Sequence, residues 1–298
     1  MQVTWINQVD QLILRDFLKD KGLSRRFLTK LKQVKGAIRV NHQPVWVTWE
    51  LVKGDRVEVD LPKEEANPHL APYEGGLDII YEDDYLLALN KPAPHTCLPS
   101  PQNRTSSLAN RVLAYYLKEG AENLKIHPVT RLDKETSGII LFAKHQYIHH
   151  LMTNWSNLTK KYLALVQGQV TPAEGVIDQA IGRAEDSIIK RQVKQGGKPA
   201  QTSYRVLDQS NQASMLAIDL LTGRTHQIRV HLSHLGHPLL GDSLYGGQPG
   251  IIDRQALHCQ QVDFTHPLTG QAVRLQAPLP EDLLVLMQKL GLAGPETP

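Results

Sequence analysis

The sequence contains few of the features that mark secreted, membrane-spanning or disulfide-stabilised proteins. Its 298 residues include two cysteines, Cys97 and Cys259, too few and too far apart for a disulfide framework. The apolar runs, such as residues 139–143 and 283–287, are far shorter than the roughly 20 residues of a membrane-spanning helix. The N-terminal stretch MQVTWINQVD has neither the basic start nor the apolar core of a signal peptide. We therefore expect a cytoplasmic protein with free thiols.

Motifs for common cofactors and nucleophiles are also missing. The chain has no GxGxxG or GxxxxGK[ST] phosphate-binding loop and no GxSxG serine motif. Four histidines, at positions 226, 231, 234 and 237, could suggest a metal site, but no HExxH motif or cysteine pair accompanies them. These observations favour a protein without metal or cofactor. A metal-dependent hydrolase built on the four histidines is the alternative, and metal analysis of the pure protein would test it.

The charge of the chain is unevenly distributed. The whole chain has 33 basic and 30 acidic side chains, and its hydrophobic fraction of 41% is that of a globular protein. Residues 1–60 hold 11 Lys/Arg against 7 Asp/Glu, whereas the remaining 238 residues hold 22 against 23. Between Lys19 and Arg39 eight basic residues are opposed by Asp20 alone. This asymmetry predicts a small basic module that binds a polyanion, joined to a nearly neutral body.

Periodicity in the basic module predicts two short helices and a small sheet. One apolar helix face comprises Ile13, Leu14, Phe17 and Leu18, and Gly22 is placed to end that helix. Ser24 is placed as the N-cap of a second helix, and alternating residues at 38–40 and 57–59 predict strands. The solvent-facing side of the second helix carries basic residues without acidic partners four positions away: Arg25, Arg26, Lys30 and Lys32. This favours contact with nucleic-acid phosphates over plain solvation.

The stretch LSRRFLTKLKQVKGAIRVNHQPVWVTWELVKGDRVEV resembles the small RNA-binding domain named after ribosomal protein S-four, over about residues 9–60. The resemblance implies a helix pair that lies against structured RNA, with Ser24, Arg25, Arg26 and Arg39 at matching positions. We place this small α/β domain at residues 1–61. Residues 62–76, PKEEANPHLAPYEGG, are rich in proline, glycine and carboxylates and predict a linker.

The body is predicted at residues 77–292, with a flexible tail at 293–298. Strands are expected at 77–81, 85–90, 138–143, 161–167, 200–207 and 214–221. Helices are expected at 107–117, 146–155, 226–235 and 281–290. Several strand pairs are too close in sequence for crossover helices. The pattern therefore predicts an α+β domain with a mixed, largely antiparallel sheet and peripheral helices.

The segment HPVTRLDKETSGIILFAK, residues 127–144, is the first candidate for chemistry. It presents Asp133 on a polar turn immediately before an apolar strand, with Arg131 two residues away. A carboxylate at the edge of a rigid sheet is well placed for catalysis. An aspartate before a glycine-containing turn can equally be a local cap, and this segment alone leaves both interpretations open.

Two further segments bear on Asp133. Residues 220–247 predict a strand, a tight turn and a helix, with Arg224 and Arg229 near the helix start and Ile228 on its packed face. An arginine that reaches Asp133 would keep the carboxylate ionised and fix its rotamer. In KKYLALVQGQV the alternation puts Tyr162 on one face of a strand, where simple packing is the plainer interpretation and a cleft aromatic the other.

Together these segments resemble the RluA-type family of pseudouridine synthases over residues 77–280. The matching pieces occur in the family's order: LDIIYEDDYLLALNKPA, HPVTRLDKETSGIILFAK, KKYLALVQG, GKPAQTSYRVL, LTGRTHQIRVHLSHLGHPLLGDSLYG and LHCQQVDFTHPLTGQAVRLQAPLPEDL. The resemblance implies the pseudouridine synthase fold and an RNA pseudouridine synthase that isomerises specific uridines in rRNA or tRNA. It also implies that no cofactor is needed, because uridine and pseudouridine are isomers.

Carried over by position, the catalytic aspartate of the family falls on Asp133 and the active-site tyrosine on Tyr162. The arginine that pairs with the aspartate falls on Arg229, with Ile228 as an apolar contact for the base. Arg131 and Arg224 complete the expected substrate-binding set. Two departures stand out: Thr130 replaces a histidine that many members have, and the loop 94–103 reads PHTCLPSPQN instead of a glycine followed by a His-Pro pair.

We therefore expect an RNA-modifying enzyme that acts as a monomer on structured RNA, without metal and without membrane attachment. The alternative is a non-catalytic RNA-binding or ribosome-assembly protein with the same fold. The joint presence of Asp133, Tyr162 and Arg229 argues for the enzyme, and a pseudouridine assay on bulk RNA would distinguish the two.

Overall fold

A computed structural model of the protein describes residues 1–101 and 103–294. The predicted tail therefore falls partly outside the described residues, at positions 295–298, as does Gln102 of the loop 94–103. Within the described ranges no helix is long and apolar enough to cross a membrane.

The N-terminal part folds into two helices beside a small antiparallel sheet. Its elements are β1 (Gln2–Ile6), β2 (Leu12–Ile13), α1 (Leu14–Asp20), α2 (Arg25–Lys32), β3 (Ile38–Val40), β4 (Gln43–Pro44), β5 (Glu50–Leu51) and β6 (Arg56–Asp60). The main sheet has the order β1-β6-β3-β4, and β2 pairs with β5. Ser24 caps α2 as predicted, with its hydroxyl oxygen 3.2 Å from the backbone N–H of Phe27. Strands β1, β2, β4 and β5 were not predicted.

The body follows from residue 79 onward. Its strands are β7 (Ile79–Glu82), β8 (Leu86–Lys91), β9 (His127–Pro128), β10 (Ser137–Ala143), β11 (Thr159–Gln167), β12 (Glu174–Asp178), β13 (Ile181–Arg183), β14 (Arg191–Val193), β15 (Gln201–Gln209), β16 (Ala213–Leu220), β17 (Leu257–Thr265) and β18 (Ala272–Gln276). Its helices are α3 (Leu108–Lys118), α4 (Gln146–Trp155), α5 (Gln227–His234) and α6 (Glu281–Lys289). All four predicted helices and all six predicted strands are confirmed to within about two residues.

Ten strands form the central sheet of the body. The order along it is β12-β15-β16-β11-β17-β10-β8-β7, with β18 on β17 and β9 on β10. The pairing of β10 with β17 is parallel, whereas the other pairs of this sheet are antiparallel. The predicted α+β class with a mixed, largely antiparallel sheet is therefore confirmed. Six strands were not predicted because they are very short, expose most of their side chains or bury polar residues: β9, β12, β13, β14, β17 and β18.

Strand β10 is the centre of the body and determines where the preceding loop ends. All seven of its residues are buried. Its second residue, Gly138, has φ +109°, and a Cβ there would lie 2.2 Å from the carbonyl oxygen of Cys259 on β17. Only glycine allows this close approach of the two strands. The loop that carries Asp133 therefore leads into the start of a strand whose position in the sheet is fixed.

The N-terminal part packs directly against α4, and one apolar core runs through both parts. The ring of Phe27 stacks on that of Tyr147 with centroids 6.2 Å apart, and the Tyr147 hydroxyl donates to the carbonyl of Lys21. Residues 62–76 contain no helix or strand, as predicted, but they are not loose. Glu64 accepts hydrogen bonds from the Gln146 backbone N–H at 2.8 Å and from His127 at 2.9 Å.

Candidate active site

One cavity of about 510 Å³ lies where the β9–β10 loop, strand β11 and the start of α5 converge. The structure brings all six site residues expected in the body to the wall of this cavity: Arg131, Asp133, Tyr162, Arg224, Ile228 and Arg229. Three separate segments contribute these residues, so their meeting depends on the tertiary fold rather than on sequence proximity.

Asp133 is held by an arginine that lies 96 residues further along the chain. Its Oδ2 atom accepts a hydrogen bond from Nη1 of Arg229 at 3.2 Å. The side chain is half-buried, and within residues 1–101 and 103–294 it accepts no bond from a backbone N–H of its own turn. The carboxylate is thus not a local cap. Oδ2 is fixed by the guanidinium, whereas Oδ1 has no such partner in the described part of the chain.

Arg229 is itself positioned by a buried carboxylate that sequence analysis did not assign to the site. Its Nε and Nη2 atoms donate to the two oxygens of Asp242 at 2.7 and 2.8 Å, and Asp242 is only 1% exposed. The guanidinium also lies over the ring of Tyr245, 5.0 Å from the ring centroid. Burial alone would lower the pKa of Arg229, but the bond to Asp242 and the charges of Asp242 and Asp133 raise it. The arginine therefore remains charged and spans the two carboxylates.

Tyr162 and Ile228 provide the apolar surfaces of the cavity. Tyr162 is 5% exposed and Ile228 4% exposed. Burial, reinforced by the neighbouring Cys259 thiol, raises the pKa of Tyr162 well above its usual value, so the phenol remains protonated. Lys160, two residues before Tyr162 on the same face of β11, also lines the cavity, and burial lowers the pKa of its ammonium. Lys160 was not predicted as a site residue, although the period-2 pattern of the strand could have indicated it.

The loop 94–103, which departs from the family pattern, packs beneath the segment that carries Asp133. The thiol of Cys97 lies 3.1 Å from the carbonyl oxygen and 3.3 Å from the backbone nitrogen of Leu132. The fully buried Lys91 donates from Nζ to the carbonyl oxygens of His95 and Lys134, each at 2.9 Å. Burial lowers the pKa of Lys91 to about 8. These bonds hold Leu132 and Lys134, the residues on both sides of Asp133. The unusual loop therefore helps to fix the backbone position of Asp133.

Arg131 and Arg224 lie at the exposed rim of the cavity. Arg224 donates from Nε to the carbonyl of Pro199 at 2.9 Å, which fixes its stem on the body.

In the N-terminal part, the basic side of α2 and its capping serine are exposed as predicted: Ser24, Arg25, Arg26, Lys30 and Lys32. Arg39 differs from these, because it is half-buried and its guanidinium forms a bidentate pair with Asp60. We therefore leave Arg39 out of the exposed basic surface.

Three of the four histidines considered for a metal site contact different partners, and the fourth, His234, is exposed. His226 contacts the Tyr245 hydroxyl at 2.9 Å, and His237 contacts the carbonyl of Gln167 at 3.0 Å. His231 is buried and bonds to Thr202 and to the carbonyl of Gln179. In the parts of the chain that the structure describes, no group of three or more potential ligand side chains is arranged around a common point.

Comparison with known proteins agrees with this geometry. A family model described as RNA pseudouridylate synthase matches residues 85–234. The chain is 39% identical over 280 residues to the uncharacterized RNA pseudouridine synthase YjbO of Bacillus subtilis (strain 168), covering 93% of this chain and 99% of that protein. It is 35% identical over 296 residues to ribosomal large subunit pseudouridine synthase D of Neisseria meningitidis serogroup A / serotype 4A (strain DSM 15465 / Z2491), covering 94% and 78%.

A solved structure, that of human RNA Pseudouridylate Synthase Domain Containing 4, superposes with a TM-score of 0.60 at 23% identity. The match covers 74% of this chain and 95% of the human chain and supports the fold. The sequence relationships and the family model together extend through the segments that build the cavity. The chain therefore belongs to the RluA-type family of RNA pseudouridine synthases, which are isomerases.

Proposed function

We propose that this pseudouridine synthase modifies uridines in structured RNA of the large ribosomal subunit and that Asp133 is its catalytic residue. The observation that carries the proposal is a series of hydrogen bonds: Asp133 accepts from Arg229 at the wall of the 510 Å³ cavity, and Arg229 in turn donates to Asp242. The choice of RNA is supported by the relatives named ribosomal large subunit pseudouridine synthase D. A tRNA substrate is the alternative that the test below separates.

The reaction requires few chemical groups. The C1′–N1 bond of uridine breaks, C1′ joins C5 of the same base, the hydrogen on C5 leaves and N1 gains a proton. Since all atoms remain in the product, the net reaction is redox-neutral and consumes no second substrate. What the enzyme must supply is an extruded nucleotide, a carboxylate near the sugar and a pocket in which the detached base can turn without being lost.

The residues of the cavity suit these requirements. Oδ2 of Asp133 is held by Arg229, so Oδ1 is the oxygen available to act at the sugar as nucleophile or proton acceptor. Tyr162 and Ile228 would lie on the two sides of the uracil, and the Tyr162 hydroxyl would relay the C5 proton. Arg131 at the rim would occupy the place that the extruded nucleotide vacates.

The substrate is tested by incubating the purified protein with transcripts of large-subunit rRNA, small-subunit rRNA and tRNA, followed by mapping of pseudouridine. We expect modification at a few discrete uridines of the large-subunit RNA. Modification confined to tRNA would contradict the proposed substrate but leave the enzyme class intact. A protein that binds these RNAs without forming pseudouridine would instead favour the non-catalytic alternative.

We further propose that residues 1–61 form an RNA-binding domain, with residues 62–76 as the linker to a catalytic domain at 77–292. The exposed side of α2 supports this role because Arg25, Arg26, Lys30 and Lys32 form no ion pair within residues 1–101 and 103–294. Unpaired basic side chains on one helix face suit the phosphates of an RNA duplex. We also propose a cytoplasmic monomer, since one chain supplies the complete cavity and both cysteines are unpaired.

The RNA-binding role of α2 predicts a change in salt dependence. The triple variant Arg25→Gln/Arg26→Gln/Lys30→Gln should weaken RNA binding and reduce the steepness of log K against log salt by roughly two. The reason is that a protein with fewer phosphate contacts releases fewer counterions when it binds RNA. Single-turnover isomerisation at saturating enzyme should change little. Filter binding between about 50 and 200 mM salt measures the slope. The matched control replaces three exposed lysines elsewhere, Lys118, Lys125 and Lys289; equal slopes for the two triple variants would contradict the role.

A further inference from the structure

His226 occupies an unusual backbone position at the wall of the cavity. It directly precedes α5 and has φ +56°, in the left-handed region that few residues other than glycine adopt, histidine being among the more frequent of these. Its side chain is only 12% exposed and packs edge-on against the ring of Tyr245, with centroids 5.7 Å apart. Such strain persists where surrounding contacts require it, and it often marks a functional position.

The hydrogen bonds of Tyr245 fix the tautomer of this histidine. The Tyr245 hydroxyl accepts the backbone N–H of Arg191 at 2.9 Å and lies 2.9 Å from Nδ1 of His226. A phenol has a single proton to donate, and within the described parts of the chain no other acceptor contacts this hydroxyl. The proton therefore goes to Nδ1, which acts as the acceptor. The imidazole proton then resides on Nε2.

Nε2 of His226 faces the catalytic carboxylate. It lies 3.9 Å from Oδ2 of Asp133, the oxygen that Arg229 already contacts at 3.2 Å. This distance is too long for a hydrogen bond in the free protein. Catalytic hydrogen bonds are often long in unliganded enzymes and shorten when substrate closes the site. An N–H donor aimed at Oδ2 would leave Oδ1 free for the sugar.

The charged groups around His226 come from four elements. Asp133 lies on the loop before β10, Arg229 on α5, Arg191 on β14 and Asp242 on the turn after α5. Burial lowers the pKa of His226 from its ordinary value; Asp133 and Asp242 oppose this effect, while the two arginines reinforce it, and the net shift is downward. A downward shift favours the neutral ring, in which one nitrogen donates and the other accepts.

We propose that His226 is a positioning residue for the isomerisation: when substrate closes the site, its Nε2–H donates to Oδ2 of Asp133, and the Tyr245 hydroxyl fixes the tautomer that makes this possible. The inference rests on the proposed catalytic role of Asp133. It extends that role by making the reactive orientation of the carboxylate depend on two donors, Arg229 and His226. Through Arg191 it also ties the hairpin β13–β14 to the carboxylate.

The tautomer is measured directly by long-range proton–nitrogen correlation NMR of the full chain labelled at histidine nitrogens. The His226 signals are those that disappear in His226→Gln. In the wild-type protein at pH 7 we expect the pattern of a neutral ring protonated at Nε2. Tyr245→Phe should shift the ring towards a tautomer mixture, whereas the matched control Tyr204→Phe, a buried tyrosine outside the cavity, should not. A wild-type ring protonated at Nδ1, or on both nitrogens, would overturn the proposal.

Kinetics test the donor. His226→Ala should lower kcat by roughly 10 to 100-fold with KM within about threefold, the size expected for one hydrogen bond to a charged group. His226→Gln, whose amide nitrogen can take the place of Nε2, should recover most of the loss. His234→Gln, at an exposed position on the same helix, is the control and should match wild type. Full turnover of His226→Ala alongside an inactive Asp133→Asn would reject this inference alone, whereas an active Asp133→Asn would reject the proposed function itself.

Discussion

Asp133→Asn should abolish pseudouridine formation, with a loss in kcat of roughly 10⁴-fold or more, while RNA affinity changes no more than several-fold. Asparagine has the same shape and can still accept a hydrogen bond from Nη1 of Arg229, so the cavity should remain assembled. In asparagine, a neutral amide nitrogen takes the position of Oδ1, so the negatively charged oxygen that acts as nucleophile or base is lost. Single-turnover assays on the mapped RNA, together with binding measurements, separate the chemical step from association.

The control for this variant is Glu135→Gln, two residues further along the same loop. Among the residues that the structure describes, the Glu135 carboxylate pairs only with the neighbouring exposed Lys134, at 3.3 Å. The Glu135→Gln variant removes the same charge from nearly the same place but leaves the cavity wall unchanged. Its turnover should therefore stay within about twofold of wild type. Comparable turnover of Asp133→Asn and Glu135→Gln would refute the assignment of Asp133.

Asp242→Asn should both destabilise the protein and impair turnover. Asp242 is 1% exposed and receives two hydrogen bonds from Arg229, so the amide would take away one of these two acceptor oxygens from a buried guanidinium. Breaking a buried ion pair from one side typically costs about 3–5 kcal/mol of unfolding free energy. The released arginine can rotate towards Asp133 and occupy the oxygen needed for chemistry, and we expect kcat to fall about 100-fold. Denaturant unfolding and single-turnover assays measure the two effects.

A matched pair elsewhere in the chain provides the comparison. Arg254 contacts Asp282 with the same two-oxygen geometry, at 2.6 and 2.9 Å, but the Asp282 side chain is 43% exposed. Water can replace its lost interactions, so Asp282→Asn should cost clearly less stability and leave kcat near wild type. If the two variants are equally stable and equally active, Asp242 does not position Arg229 for the reaction.

The elements most accurately predicted from sequence were those whose signals are local. Helix α2 has a capping serine, a one-sided apolar pattern and a basic face, and each of these depends on residues within one or two turns. Strand β10 is a short apolar run bounded by turn residues. The positions of Asp133, Tyr162 and Arg229 in one cavity followed from the family resemblance, because nothing local in the three segments places them together.

The contacts that could not be predicted are those made by partners distant in sequence. The role of Asp242 depends on a turn folding back under α5, where a Cβ on the neighbouring Gly241 would come 2.2 Å from the carbonyl of Arg254. The Arg39–Asp60 pair likewise joins residues 21 positions apart, and it engages a residue that the resemblance assigns to RNA binding. Charge counts could not reveal either pair, because each contributes no net charge.

The packing of Phe27 and Lys21 against Tyr147 has a consequence for the choice of uridine. It fixes α2 relative to the sheet that carries Asp133, and Glu64 fastens the connecting chain at the start of the same helix α4. For an RNA whose backbone binds α2, the protein then fixes the distance between the bound backbone and the extruded nucleotide. A uridine at the wrong offset would be passed over even in a favourable sequence, and lengthening the RNA stem by one base pair would move the modification rather than weaken it.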